Sequence, residues 1–226
     1  NTAIGGFSLD ANTTASNNTA VGYASLSANT TGDRNVALGA YALDASTTAS
    51  GATALGYNAL SANTTGSTNT GVGFHALNVN TTGGTNVAVG ASALQANTTA
   101  SNNTAVGVSA LAANTTGTEN VGLGRYSLYT STTGSYNTAI GTNALFTNTT
   151  GSDNTAVGRS ALGASTTASN NVGIGRNALA SNTTGSNNVG VGHSSLNALT
   201  TGNSNVAMGF NSLSSDTLGD RAVAIG

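Results

Sequence analysis

The chain repeats itself every seventeen residues. A five-residue motif, [NA]-[TV]-[AG]-[VILM]-G, begins at Asn1 and recurs at each seventeenth residue as far as Ala222, with no insertion or deletion between copies. Thirteen complete repeats fill residues 1–221, and Ala222–Gly226 open another. A constant period of this length is typical of a repeat architecture, in which each unit buries its apolar side chains only by stacking on its neighbours.

The positions of the repeat differ in how much variation they show. Numbered from the residue that begins each copy, the consensus is N-T-A-V-G-x-x-A-L-x-A-N-T-T-G-S-x. Position 5 is Gly and position 9 is Leu in every copy, and position 13 is always Thr. Positions 6, 7, 10, 16 and 17 vary and carry nearly all the charged and aromatic residues. We expect the variable positions to face water.

The repeat is too short for a pair of stacked helices and is rich in Gly, Asn, Thr and Val, which are poor helix formers. Positions 2 to 5 suit a short strand, a second short strand is expected through positions 7 to 10, and N-T-T-G-S carries turn residues. The predicted fold class is therefore all-β, a parallel β-solenoid, or β-roll, of thirteen 17-residue coils. Residues 1–226 form a single repetitive β-solenoid shaft in this interpretation.

Stacking the coils at the strand spacing of ~4.8 Å places identical residues above one another, so that constant polar residues become hydrogen-bonding ladders. In two successive coils we expect the ladder residues to be Asn18, Asn35, Gly22, Gly39, Leu26, Leu43, Thr30 and Thr47.

Each coil has only two sizeable apolar side chains in constant positions, the Val-type residue at position 4 and the Leu at position 9. We expect both to form the core. The Ala or Gly at position 3 and the Gly at position 5 imply close approach of another backbone, either the opposite wall of the same coil or a neighbouring subunit. We favour a homotrimer with this small-residue face near its axis.

The string N-[TV]-A-[VI]-G followed by A-L resembles the head repeats of YadA-like trimeric autotransporter adhesins, whose core is S-V-A-I-G. The longer string N-T-A-V-G-x-x-A-L-x-x-N-T-T-G is similar to repeats of phage and bacterial tail-fibre-like proteins. The resemblance covers the whole chain and implies a left-handed β-roll in a trimeric fibre. The coil here is longer than the typical YadA-like repeat, and the choice between cell-surface adhesin and phage fibre stays open.

The composition argues against several other functions. Charged residues make up 5% of the chain and the net charge is −2, so no basic stripe exists for nucleic acid. No apolar run is long enough to span a membrane. Cysteine is absent, and His75 and His193 lie seven repeats apart, so they cannot meet in one chain of stacked coils. We therefore predict no enzyme activity, no metal site and no cofactor.

The N-T-T turn matches the acceptor sequence for N-glycosylation, N-x-[ST]. The alternative is that N-T-T is a hydrogen-bonding turn that matches the sequon through its composition alone. Two further sequons begin at Asn17 and Asn102. The candidate glycosylation sites in N-T-T turns are Asn12, Asn29, Asn63, Asn80, Asn97, Asn114, Asn148 and Asn182.

The main functional prediction is the structural shaft of an extracellular fibre, on a cell surface or a virion appendage, that spaces and presents a binding tip. One alternative is an ice-binding solenoid with an outward file of Thr at position 13 or 14. Another is an adhesive surface for a host glycan or protein, formed by exposed aromatic residues such as Tyr23, Tyr57, Phe74 and Tyr126. Because the chain opens on the repeat motif, we expect caps, anchor and tip to lie outside it.

Overall fold

The chain folds as a parallel β-solenoid, as the sequence predicts. A computed structural model describes all 226 residues and contains strands and turns but no helix. The solenoid makes about thirteen turns in all. The chain divides into two compact units, Asn1–Thr116 and Gly117–Gly226.

Each coil contributes one strand of three residues, formed by positions 2 to 4. The first unit contains β1 Thr2–Ile4, β2 Thr19–Val21, β3 Val36–Leu38, β4 Thr53–Leu55, β5 Thr70–Val72, β6 Val87–Val89 and β7 Thr104–Val106. The second unit contains β8 Val121–Leu123, β9 Thr138–Ile140, β10 Thr155–Val157, β11 Val172–Ile174, β12 Val189–Val191, β13 Val206–Met208 and β14 Val223–Ile225.

Within each unit every strand pairs in parallel with the strand of the next coil. The register joins equivalent positions: Ala20 opposes Ala37, and Val21 opposes Leu38. In the second unit Ala156 opposes Ala139 in the same way. The seventeen-residue period of the sequence is therefore the register of the sheet, and this prediction is confirmed.

The second strand predicted at positions 7 to 10 is absent, and this expectation was wrong. Two consecutive turns occupy this wall, closed in the third coil by hydrogen bonds from Ala42 N–H to Gly39 O (3.3 Å) and from Ser46 N–H to Leu43 O (3.1 Å). The Leu at position 9 has a φ between 48° and 54° in every coil, and the residue at position 7 is also left-handed. Left-handed residues cannot belong to a regular strand. The wall still bonds from coil to coil, as from Leu26 N–H to Ala42 O at 2.9 Å.

The core is built from position 3 and position 9, together with position 8, and not from position 4. Ala20 and Ala37 have no exposed surface, and Leu26 and Leu43 are fully buried. At Gly71, which holds position 3, an added Cβ would lie 3.2 Å from the Leu60 Cγ. The small residues thus face the opposite wall of their own solenoid, which was one of the two alternatives.

Position 4 points out of the solenoid, and its assignment to the core was wrong. Strand side chains alternate, so burial of position 3 forces positions 2 and 4 to the other side of the sheet. Leu38 and Leu55 keep 44% and 42% of their surface exposed. The predicted placement of the Ala and Gly face near a trimer axis therefore fails as well, because that face lines the interior.

The constant Gly at position 5 has a steric cause. Gly22 and Gly39 have φ values of 133° and 137°, a region that side chains rarely adopt. A Cβ on Gly22 would lie 2.6 Å from the carbonyl oxygen of Gly39 in the next coil. Any larger residue would separate the two coils at this point.

Candidate functional surfaces

The Asn at position 1 forms the predicted ladder. Asn35 donates its backbone N–H to the Oδ1 of Asn18 at 2.8 Å, and its own Nδ2 donates to the carbonyl of Ala49 at 2.8 Å. Asn18 makes the equivalent bond to Gly32 O. Each buried amide therefore donates to the turn that ends its own coil and accepts from the backbone N–H of the next coil, which satisfies groups that burial would otherwise leave unpaired.

The Thr at position 13 forms the second ladder. The hydroxyl of Thr30 donates to the carbonyl of Thr47 at 3.1 Å, and Thr47 donates to Thr64 O at 3.3 Å. These hydroxyls therefore donate their hydrogens to the backbone of the next coil. The neighbouring Thr at position 14 is exposed, as at Thr31 and Thr48, so the turn presents one outward file.

The N-T-T asparagines are structural in the folded chain. Of the eight candidate glycosylation sites, Asn12 is half-buried and the other seven are buried. Their amides bond inside the turn, for example from Asn29 Nδ2 to Gly32 O at 3.0 Å and from Asn63 Nδ2 to Gly66 O at 2.9 Å. Glycosylation itself stays a prediction, and the buried amides argue against it at these seven positions. The sequons at Asn17 and Asn102 are exposed.

An uncharged apolar surface runs along the sheet of each unit. We call it the sheet face and define it as the outward side chains at positions 2 and 4 of every strand. Position 2 is Thr or Val, and position 4 is Val, Ile, Leu or Met, with no charged residue in any copy. In the second unit Ile140, Ile174 and Met208 are exposed on it by 38%, 39% and 42%. Contiguous exposed apolar patches of this kind mark interaction surfaces.

The sequence contained a signal for this face. Position 4 accepts four side chains of different volume, whereas position 9 accepts only Leu. A close-packed interior resists changes of volume, so a position that varies in size is better placed outside. The side chains at position 4 are all apolar, and their hydrophobicity alone suggested the core despite this variation in size.

A continuous run of aromatic rings lies on the first unit. Phe7 and Tyr23 have ring centroids 5.6 Å apart, Tyr23 and Tyr41 are 5.4 Å apart, and Tyr41 and Tyr57 are 6.0 Å apart. Tyr57 then stacks on Phe74 at 5.7 Å. We call these five residues the aromatic ladder. The structure thus joins Tyr23, Tyr57 and Phe74, which the sequence singled out as exposed aromatics, into one strip.

The two histidines lie in separate aromatic settings. His75 stacks on Phe74 with ring centroids 4.0 Å apart, and His193 stacks on Phe210 at 5.3 Å. The chain contains no group of three or more His, Cys, Asp or Glu that could hold a metal ion. Helices of the length and apolarity needed to cross a membrane are absent.

Comparison of the chain with protein-family models, with curated proteins and with solved structures found no match.

Proposed function

We propose that the chain is the structural shaft of an extracellular fibre, of the cell-surface adhesin or phage tail-fibre kind, which spaces and presents a binding tip. The observation that carries this proposal is the hydrogen bonding between successive coils on every side. Thr19 N–H bonds to Asn35 O, Leu26 N–H to Ala42 O, and Thr30 N–H to Thr47 O, at 2.9 to 3.0 Å. The resemblance of the repeat to fibre repeats supports the same conclusion.

A shaft of this kind should resist proteases, because extended, exposed loops are the preferred sites of cleavage and none interrupts the repeat. The test is digestion with proteinase K, followed by electrophoresis and circular dichroism of the surviving protein. We expect the full-length band to persist for hours in its native state. The matched control is the Gly39→Val variant, in which stacking is broken. Rapid cleavage of the native wild-type chain at many coils would contradict a mechanical role.

The proposal includes self-association through the sheet face, as a homotrimer. This face is the apolar surface that the solenoid leaves exposed along its strands, and it has no charge to repel a second copy. Light scattering coupled to size-exclusion chromatography should give a mass three times the 21.7 kDa of the chain.

Charge on the sheet face should abolish this association. The test variant is Leu38→Lys with Leu55→Lys, whose side chains are exposed, so folding should survive. The matched control is Thr48→Lys with Thr65→Lys, which adds the same charge to exposed turn positions of the same two coils. A monomeric wild type at all concentrations would remove the homotrimer, and equal masses for the two variants would remove the sheet face as its interface.

Ice binding is the second candidate, favoured by the exposed file of Thr at position 14. Thr31, Thr48 and Thr65 repeat along this file at the coil spacing. The test is a thermal-hysteresis measurement on the purified chain. Activity that disappears in Thr48→Lys with Thr65→Lys would support it, and absence of activity in the wild type would exclude it.

A further inference from the structure

Position 10 of the coil changes abruptly in the second unit. Tyr129 and Phe146 hold it in consecutive coils, and Gly163 and Ala180 hold it in the two coils that follow. The rings of Tyr129 and Phe146 stack with centroids 5.4 Å apart and an angle of 11° between their planes. Aromatic residues occur at position 10 in no other coil. The two rings therefore form a wall that ends where the next coil has no side chain.

A groove opens beside this wall. A cleft of about 390 Å³ is lined by Tyr126, Tyr129, Asn143 and Phe146. A second cleft of about 250 Å³ shares Asn143 and Phe146, and its other lining residues are Ser160, Gly163 and Ala180. We call the two clefts together the aromatic groove. Its size lies in the range of small-molecule sites.

The groove contains an unused hydrogen-bond acceptor. The Oδ1 of Asn143 is shielded from solvent and has no hydrogen-bond partner. A ligand hydroxyl can reach this oxygen only if the Asn143 side chain turns toward the groove, and that turn is favoured because it gives an unpaired buried acceptor a donor. The amides of the Asn ladder bond to the backbone of a turn, whereas the Oδ1 of Asn143 bonds to no turn.

A cation contacts Tyr126, the third aromatic ring that lines the groove. The guanidinium carbon of Arg125 lies 4.5 Å from the centroid of the Tyr126 ring, and Arg125 Nη2 donates to the Tyr126 hydroxyl at 3.3 Å. Tyr126 in turn meets Tyr129 edge to face at 5.2 Å. The three aromatic rings that line the groove thus contact one another, and side chains already restrained by such contacts lose less conformational entropy when a ligand binds.

The chemistry of the groove fits a sugar ring. The faces of aromatic rings carry partial negative charge and attract the C–H groups on the flat side of a pyranose, while the Asn and Tyr groups can bond its hydroxyls. We propose that the aromatic groove binds an uncharged oligosaccharide, with one pyranose stacked on the face of Phe146 that Tyr129 leaves free, beside Gly163, and with the Asn143 side chain turned so that its Oδ1 accepts from a sugar hydroxyl. This site is additional to the shaft function and does not depend on it.

Binding can be tested on the whole chain with a glycan array, followed by saturation-transfer NMR and calorimetry. The defined probes are cellotetraose, chitotetraose and maltotetraose, together with the strongest array ligand. We expect NMR saturation of pyranose C–H protons for at least one uncharged oligosaccharide. Absence of binding to every uncharged glycan would overturn the proposal, as would binding of an oligothymidylate in place of any sugar.

The variant that tests the groove is Tyr129→Ser with Phe146→Ser. Other coils have Ser at position 10, namely Ser27, Ser61 and Ser214, so this change is compatible with the fold. We expect at least about a tenfold rise in Kd, which corresponds to 1.4 kcal/mol. A second variant, Asn143→Ser, places at position 7 a residue that also occurs there at Ser109 and Ser160, and should raise Kd while leaving the rings in place.

Two controls locate the site. Asn78→Ser with Gln95→Ser places Ser at position 10 of two consecutive coils of the first unit and should leave Kd unchanged. Tyr57→Ser with Phe74→Ser removes part of the aromatic ladder. If the ladder variant loses binding and the groove variant retains it, the assignment to the groove is wrong.

Discussion

At the scale of single residues, the buried asparagines at position 1 supply side-chain hydrogen bonds that pair backbone groups inside the solenoid. An Asn side chain offers an acceptor and two donor hydrogens, and the position-1 residue uses both kinds, one toward the next coil and one toward its own turn. Ser or Ala could not make both bonds. The constancy of this position therefore reflects hydrogen bonding inside the protein and needs no ligand.

One coil tests this account, because Ala52 stands where other complete coils have Asn. The backbone N–H of Ala52 still donates to Asn35 Oδ1 at 2.9 Å, but no side-chain oxygen at residue 52 can accept from the next coil. The Nδ2 of Asn69 reaches back to Gly66 O at 3.1 Å, which is the carbonyl that an Asn at 52 would bond.

We expect Ala52→Asn to stabilise the protein by about 1 kcal/mol, the net worth of an added buried hydrogen bond. Urea unfolding followed by circular dichroism would measure it. Asn35→Ala is the opposing variant: it removes the partners of Ala52 N–H and Ala49 O and should cost about 1–3 kcal/mol. If Ala52→Asn destabilised the chain, hydrogen bonding in the Asn ladder would not explain why position 1 is Asn in the other complete coils.

At the scale of one coil, backbone conformation decides the shape. Positions 7, 9 and 17 are left-handed in every complete coil, and position 5 has a φ that only Gly adopts easily. The left-handed residue at position 9 lets Ala42 and Leu43 both point inward, which no strand allows for consecutive residues. Each coil therefore accepts a local conformational cost that stacking must offset.

Gly39→Val should unfold or severely destabilise the first unit. The Val Cβ would lie 2.5 Å from Gly56 O, and the residue would keep a φ of 137°. Backbone strain alone costs of order 1–3 kcal/mol. The control is Ala40→Val, one residue later, at a position where Val108 occurs naturally. Thermal denaturation should separate the two variants widely, and equal melting temperatures would refute the steric argument.

The assignment of inside and outside can be tested on adjacent residues of β4. Ala54 is fully buried and Leu55 is 42% exposed. Ala54→Val should cost about 1–3 kcal/mol because the interior is already filled. Leu55→Val should change stability by less than about 0.5 kcal/mol, since it alters an outward side chain. Denaturant unfolding would measure both losses of stability. If position 4 belonged to the core, Leu55→Val would lose more stability than Ala54→Val.

At the scale of the whole molecule, the repeat makes stability a sum over coils and their interfaces. Within each unit every coil bonds to its neighbours through the same positions, so the fold of a unit depends on the period and little on any single coil. A change that keeps the period should be tolerated, whereas one that breaks it should shift every later residue to the wrong side.

Deleting residues 69–85 removes one full period and joins Thr68 to Asn86, so that each remaining residue keeps its position in a coil. We expect this variant to keep its β-sheet circular dichroism spectrum and to lose only a few degrees in melting temperature. Deleting residues 69–76 removes about half a period and should disrupt the first unit. Similar behaviour of the two deletions would argue against in-register stacking.

The sequence alone determined the period, the parallel register, the strand at positions 2 to 4 and the ladders of Asn, Gly, Leu and Thr. These follow from local chemistry repeated at a fixed interval, because identical coils satisfy one another only when equivalent positions lie together. Tyr129 and Phe146 occupy the same position one period apart in the sequence, but the sequence pattern alone did not single them out.

The tertiary structure decided which side of the strand is inside, because the size variation at position 4 hinted at an outward face but its hydrophobicity pointed to the core. Alternation separates two faces but assigns neither to the core, and the larger side chains at position 4 suggested the wrong one. The left-handed turn at positions 7 to 9 brings Leu close to the sheet and leaves room beneath it for nothing larger than Ala. The distance between the strand and the turn wall is set when the whole coil closes, so it cannot be inferred from any one segment of the sequence.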